Sequence, residues 1–359
     1  MFFLLLVCRG VFAIHRLDIP ANYISHMRPL PKDEEKPLVL NCSVFLRIVK
    51  ISEAEQQITL ELSLKLFWFD KNIKIKESVT KFDGGEKKYI VMPGDARFSK
   101  KIWLPDIFID QSLNLRVANF HTKPASIRVY NDSKIGYNSR FNIDVACPMD
   151  FAKYPVDRQI CQVKFQSYIY LTSQLNMSWV ESDFGEKKLA QFDHDVYPME
   201  IHDEEFAAAK LLIHLERLIN YHILQTYIPS ILFVILGYTS LYIPAEVVPG
   251  RVALGMLTFL ALTKLNTSVK DGLPKVSYMT YIDFWVVCCL VSVFSTNLLS
   301  IVEILLLKSG KELVRMKFNR VCKIIIPLFF VVFNAIYWPV ILTEYFKDKR
   351  GRGFHEEEE

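Results

Sequence analysis

Ile58, Leu60, Leu62, Leu64 and Leu66 alternate with Thr59, Glu61, Ser63 and Lys65. A period of two predicts a strand with one buried face. Phe141, Ile143 and Val145 alternate with Asn142 and Asp144 in the same way. Turn-forming clusters, Asp83-Gly84-Gly85, Pro93-Gly94-Asp95 and Asn131-Asp132-Ser133, separate runs of this kind. Residues 14–216 are therefore expected to form an all-β, Ig-like sandwich. Past residue 217 the pattern changes. Ile223–Ile243, Phe284–Val302 and Ile324–Thr343 carry no charge, and at ~1.5 Å per residue each can cross a hydrocarbon core of ~30 Å. A fourth run, Val252–Val269, is long enough to cross but holds Lys264 among Thr, Ser and Asn. The expected second domain is a four-helix transmembrane bundle over 217–346, with helices near 220–244, 250–270, 279–307 and 321–345. A short loop, 308–322, would join the last two helices, and 347–359 would form a tail.

The lysine-bearing run has its own geometry. Ala253, Leu257, Leu260, Lys264, Thr267 and Asp271 fall at steps of four and three, which puts them on one helical stripe. A lysine facing lipid at mid-depth costs at least ~2.5 kcal/mol, so it should meet protein or water. A plainer alternative is a lysine that snorkels to the interface. Copies of the helix around an axis would stack two leucine rings beneath polar ones, and a leucine ring can shut a pore by excluding water.

The chain begins MFFLLLVCRGVFA. This apolar block is too short to span a bilayer, and residues 1–13 read as a secretory signal peptide; an N-terminal strand is the alternative. Of the seven cysteines, Cys8 leaves with the signal, while Cys288, Cys289 and Cys322 lie in or beside apolar runs, where a thiol acts as a small hydrophobe. Cys147 and Cys161 enclose Pro148–Ile160, and closing that loop in an oxidising space contributes about 3 kcal/mol. Cys42 is left over on an expected strand. Asn41, Asn131 and Asn176 each open an Asn-X-Ser triplet, the glycosylation acceptor pattern, and Asn131 sits at an expected turn.

Composition narrows the class. A hydrophobic content of 51% excludes a disordered chain. A net charge of +4 without a dense basic tract leaves nucleic acid out as a partner. No Gly-rich phosphate loop, Cys-X-X-Cys pair or Gly-X-Ser-X-Gly elbow occurs, so no enzyme or cofactor is indicated. Lys308, Lys311, Arg315, Lys317, Arg320 and Lys323 stand against Glu312 between the last two runs, the bias of a cytoplasmic segment. The β-domain and the C-terminus then lie outside a plasma membrane.

These features together resemble the Cys-loop receptors, the pentameric ligand-gated ion channels. Cys147-Pro148-Met149-Asp150 through Tyr154-Pro155-Val156-Asp157 to Cys161 resembles the signature loop. Trp103-Leu104-Pro105-Asp106, Tyr227-Ile228-Pro229-Ser230, Leu273-Pro274-Lys275-Val276-Ser277-Tyr278, Ile282-Asp283 and Phe333-Asn334 with Tyr337-Trp338 carry further likeness. The details lie nearest the glycine- and GABA-type anion branch. The resemblance implies a homopentamer, or an assembly with related subunits, around a central pore, with a small-molecule agonist between neighbours. It also implies that the Cys147–Cys161 loop, with Pro155 cis and Asp157, presses on the linker bearing Lys275 and Tyr278.

Selectivity is read at Pro249-Gly250-Arg251, where cation channels of the family place a Glu before the basic residue. Its absence, with a ring of Lys264, favours chloride; Glu246 and Asp271 oppose this. The resemblance places Phe108, Tyr168, Tyr170 and Phe206 in an aromatic box. Lys65 takes the position of a carboxylate-gripping Arg, and Arg128 on another strand offers a substitute. His194, His202 and Asp203, within an acidic run before Phe206, form a weak metal candidate against the blander reading of a solvated loop. A cation channel and a non-conducting structural or regulatory subunit are the competing readings.

Overall fold

The computed structural model describes residues 16–31, 36–77, 79, 82–83, 88–94, 100–117, 124–180, 182–185, 189–201 and 204–355, with side chains as far as residue 346. The expected signal peptide, His202 and Asp203 lie outside these residues.

Two compact units divide the chain. The first comprises 1–148, 160–189 and 194–215; the second comprises 149–159, 190–193 and 216–359. The division between the units falls at 215/216 except for two short segments. One of them, Met149–Gln159, is the tip of the cysteine-closed loop.

The first unit is built from strands β1 (Leu17–Asp18), β2 (Leu38–Ser52), β3 (Gln57–Phe69), β4 (Lys74–Ile75), β5 (Tyr89–Pro93), β6 (Ile107–Ile109), β7 (Ser112–Arg116), β8 (Ala125–Tyr130), β9 (Lys134–Ala146), β10 (Arg158–Leu171), β11 (Leu175–Trp179), β12 (Asp183–Phe184), β13 (Phe192–Ile201) and β14 (Phe206–Arg217). One sheet runs β11-β2-β3-β9-β8-β5, with β12 on β2 and β7 on β9; a second runs β13-β14-β10-β6. Leu60, Leu62, Leu66 and Trp68 of β3 are buried, as are Val163 and Phe165 of β10 and Leu211 and Ile213 of β14. Phe165 meets Trp179 edge-on with ring centroids 5.7 Å apart, so side chains of the two sheets interdigitate. The Cys147–Cys161 disulfide joins the end of β9 to β10 and so staples one sheet to the other. Cys42 is a free, fully buried thiol, and burial pushes its pKa up to about 12.

Strand alternation fails at two carboxylates. Glu61 and Asp144 occupy outward-facing positions by period, yet they are 8% and 3% exposed. Arg140 and Arg47 both close over Glu61. Thr59 and Arg116 bond Asp144 at 2.7 and 2.5 Å, because β7 folds across that end of β9. Hydrogen bonding from Arg140 leads the effects that hold the Glu61 carboxyl below its usual range, and the bond from Thr59 leads for Asp144.

Among the described residues, the second unit contains four helices long and apolar enough to cross a membrane: α1 (Asn220–Tyr242), α2 (Val248–Lys270), α3 (Tyr281–Lys308) and α4 (Glu312–His355), the last apolar as far as Phe346. α1 widens into a π-turn at Ile223–Tyr227, where the Ile228 N–H reaches back to the Ile223 carbonyl. Pro229 follows directly, and the wide turn accommodates a residue that lacks an N–H. Thr280 and Asp283 form a capping box that starts α3. Trp285, Tyr227, Val293, Phe333, Tyr337 and Ile341 form the interior of the bundle. Gly255 permits the closest approach: a Cβ there would lie 1.5 Å from Asn297 Oδ1 of α3, and the Asn297 amide donates to the Gly255 carbonyl at 3.1 Å.

Two expectations are corrected here. The expected loop 308–322 shrinks to Ser309–Lys311, because Gly310 (φ 68°) closes α3 with reverse bonds from Gly310 and Lys311 to the Leu307 and Leu306 carbonyls, and α4 starts at once. The expected tail is helical through His355, because α4 runs on past Pro327 and Pro339 without a break.

Candidate functional site: ligand face, pore stripe and loop junction

Register builds the first candidate site. Phe45, Ser63 and Arg140 lie in one row across β2, β3 and β9, and Ser43, Lys65 and Asn138 lie in the next. Arg128 of β8 pairs with Gly136, one row further along. With side chains alternating between faces, Lys65, Arg128 and Arg140 share the outward face of one sheet. A cleft of about 740 Å³ opens there, lined by Ser43, Ser63, Lys65, Arg140, Ser182 and Asp183 among others. Arg140 is committed to Glu61, and the Arg128 guanidinium lies over the Tyr89 ring at 5.5 Å. Among the described residues, Lys65 makes no ion pair, so its ammonium is available to an incoming anion.

The expected aromatic box divides. Phe108 of β6 and Tyr168 of β10 meet edge-on at 6.0 Å and are 39% and 76% exposed. Tyr170 instead turns inward: its hydroxyl accepts from Trp103 Nε1 at 3.1 Å, and Trp103 in turn packs on buried Trp68. Phe206 opens β14, half-buried, without a ring contact among the described residues. Asp106 fixes this corner by accepting from the Ser167 hydroxyl at 2.8 Å and the Ile169 N–H at 2.7 Å. Sequence reasoning quoted Asp106 as a motif residue and missed its task.

Of the metal candidate, only His194 lies among the described residues. Among the described residues, no three His, Cys, Asp or Glu side chains stand close enough to hold an ion. Glu200 is bound by the Ser178 hydroxyl and Trp179 N–H, and Glu204 pairs with Lys164. The acids are spread along an edge strand instead of converging. Asn131 is exposed at its turn, whereas Asn41 and Asn176 are half-buried within β2 and β11.

In the second unit, Ala253, Leu257, Leu260, Lys264, Thr267 and Asp271 are all exposed, Leu257 and Leu260 by 64% and 63%. The opposite face of α2, Arg251, Gly255, Thr258 and Leu262, is buried in the bundle. Pro249 and Gly250 are exposed at the start of α2. Arg251 is not part of the exposed stripe: it is 1% exposed, pairs with Glu303 of α3 at 2.6 Å, and caps the Ser240 and Leu241 carbonyls at 2.9 and 3.3 Å. Glu303 also accepts from Asn319 of α4 at 2.6 Å. A guanidinium cannot be buried without a counter-charge and acceptors, and both lie behind the helix.

The loop tip within this unit is densely bonded. The Tyr154–Pro155 peptide is cis. Buried Asp157 accepts from Arg217 at 2.7 and 3.2 Å, and the Arg217 guanidinium lies 4.6 Å from the ring centres of both Tyr154 and Phe192. The Phe151 N–H donates to the Tyr278 hydroxyl at 2.9 Å, and the Ile282 N–H to the Tyr154 carbonyl at 3.1 Å. Lys153 pairs with Glu344 of α4 at 2.6 Å. Lys275 is exposed, with no ion pair among the described residues. Arg217 escaped the sequence reading; its signal was a charge set directly before an apolar run, which needs a buried partner.

An all-β unit with a cysteine-closed loop, followed by four apolar helices of which one exposes a mixed polar stripe, defines a membrane receptor-channel subunit. Residues 15–211 match the family model described as the neurotransmitter-gated ion-channel ligand binding domain, and residues 226–309 match its transmembrane region. The chain belongs to this family of plasma-membrane ligand-gated channels, which are not enzymes. It is 32% identical over 274 residues to the gamma-aminobutyric acid receptor subunit beta of Lymnaea stagnalis, covering 73% of this chain and 55% of that one. It is 31% identical over 257 residues to the human gamma-aminobutyric acid receptor subunit alpha-3, covering 68% and 50%. It is 27% identical over 288 residues to a glutamate-gated chloride channel of Drosophila melanogaster, covering 77% and 61%. The chain thus spans roughly half the length of these relatives.

Proposed function

We propose that this chain assembles with four like subunits, copies or relatives, into an anion-selective channel opened by a small extracellular agonist. The observation that carries the reading is the exposed α2 stripe, whose apolar, cationic and hydroxyl members are all left uncovered by the other three helices. Five copies facing an axis would set two leucine rings below a ring of Lys264 ammonium groups. The leucine rings close the path by dewetting, and the ammonium ring attracts chloride.

The agonist belongs between subunits, with Phe108 and Tyr168 from one and Lys65 and Arg128 from its neighbour. Exposed ring faces suit a cationic group and the free Lys65 ammonium suits a carboxylate, so the ligand class is a small zwitterion. Gating would pass along the disulfide-closed loop, through Pro155 and Asp157, to Tyr278 and the start of α3.

Exposed Glu246 and Asp271 give the cation-channel reading its support. Voltage-clamp recording of cells expressing the full chain decides between them. Replacing external chloride with a large impermeant anion should move the reversal potential to more positive values. A reversal potential that follows sodium instead would replace the anion reading, and an absence of current under a broad agonist and pH screen would favour a non-conducting subunit.

A further inference from the structure

We propose that the Lys264 ring of the assembled channel is a binding site for a compact polyvalent oxyanion, of the sulfate and pyrophosphate type, which enters from the extracellular side and blocks the pore. The site rests on the anion-channel reading above and adds to it a ligand that the pore holds and does not pass. α2 carries three cations, Arg251, Lys264 and Lys270. Arg251 is paired with Glu303 at 2.6 Å, and Lys270 with Asp283 at 2.8 Å. Lys264 is exposed on the stripe, and among the described residues it has no carboxylate partner. From Ala253 to Thr267 the stripe holds no acid. Asp271 stands two turns further out, a rise of about 10 Å, which exceeds a Debye length of about 8 Å at physiological ionic strength. The Lys264 charge is therefore compensated by an ion from solution.

The neighbours of Lys264 decide which ion. Like charges on a ring repel one another, and one multivalent anion relieves several of those repulsions where chloride relieves fewer. The Thr263 hydroxyl donates to the Leu260 carbonyl at 2.8 Å, and the Thr267 hydroxyl to the Thr263 carbonyl at 3.0 Å. Both protons are used within the helix, so the ammonium groups are the donors left to face the axis. A site of that kind selects by charge and not by shape. On its cytoplasmic side lie Leu257 and Leu260, 64% and 63% exposed. Their apolar surface offers nothing to replace a hydration shell. A multiply charged oxyanion loses more hydration there than chloride does, so it stops at the lysines while chloride goes on.

Outside-out patches from cells expressing the full chain with Leu257→Ser and Leu260→Ser test this without an agonist, because hydroxyl rings keep the constriction wet. Sodium sulfate or sodium pyrophosphate is added outside in divalent-free solution, against sodium gluconate at constant chloride and ionic strength. Both anions should reduce the chloride current, pyrophosphate at the lower concentration. Block should deepen on depolarisation, since a positive interior draws an external anion inward. Lys264→Gln in the same background should raise both half-blocking concentrations on the order of tenfold or more. Lys264→Arg should keep the block, and so should Lys270→Gln, whose charge is already paired. A chloride current that neither anion blocks overturns the proposal and leaves the anion reading standing, as does equal block in Lys264→Gln or sulfate carrying current through the pore. A reversal potential that follows sodium, or a surface-expressed serine variant that passes no current, overturns the anion reading and the proposal with it.

Discussion

Arg251 offers the sharpest test, because sequence and structure assign it different work. The resemblance places it at the selectivity end of the pore, whereas its guanidinium is buried against Glu303, 1% and 2% exposed, with an N···O distance of 2.6 Å. Replacing Arg251 with Met would leave Glu303 buried with Asn319 at 2.6 Å and Arg315 at 3.8 Å as its polar company. Breaking a buried pair from one side costs about 3–5 kcal/mol, which corresponds to roughly two to four orders of magnitude in the folding equilibrium. For a chain of this size that is a fall on the order of 10 °C in Tm. Glu303→Leu alone should fall comparably, since Arg251 would keep two carbonyls and lose its counter-charge. The double variant, Arg251→Met with Glu303→Leu, should recover most of the loss, because a well-packed apolar pair substitutes for a buried ionic one. Thermal unfolding of detergent-solubilised protein followed by tryptophan emission, with surface expression alongside, gives the cycle. If Arg251→Met matches the parent in Tm while shifting the reversal potential of the channel, the buried clamp is wrong and the residue belongs to the ion path.

Other outcomes follow from the same packing. Gly255→Ala should lower Tm by an amount equivalent to about 1–3 kcal/mol, since its Cβ would meet Asn297 Oδ1 at 1.5 Å; Asn297→Ala in the same chain should relieve most of it. Lys65→Ala should raise the agonist concentration for half-maximal current by roughly tenfold or more while sparing maximal current, and an unchanged dose response would remove Lys65 from the site. The pKa values of Glu61 and Asp144 are depressed in the folded protein, by Arg140 and Thr59 first. Their stabilisation is therefore complete above the unfolded carboxylate range, near pH 4, and is lost as pH falls through the lower folded values. Melting of the β unit within the full chain should be steeper in pH below about 4, and Asp144→Asn should flatten part of that slope.

Legibility in the sequence tracked periodicity. The strands holding Leu60–Leu66 and the three uncharged runs announced themselves because one face, or every face, is apolar. The α2 stripe was readable because helical spacing alone separates Leu257 and Lys264 from Gly255 and Leu262. Buried charge was not readable. Glu61, Asp144, Arg217, Arg251 and Glu303 look like surface residues until the fold brings Arg140, Thr59, Asp157 and the α1 carbonyls to them, over separations in sequence that no local pattern encodes. The proposed binding face fell between these cases. Lys65 and Arg128 were named by the family resemblance, but the cleft required the pairing register of β2, β3 and β9, and the inward turn of Tyr170 required Trp103.

Aqueous thiol labelling along α2 tests the central claim most directly. Cysteines placed singly at Ala253, Leu257, Leu260, Lys264, Thr267 and Asp271 should react with a charged methanethiosulfonate reagent, the inner positions faster when agonist is present, while Thr258→Cys and Leu262→Cys remain unreactive. Uniform protection of the six stripe positions, or equal labelling of both faces, would contradict a water-filled axis.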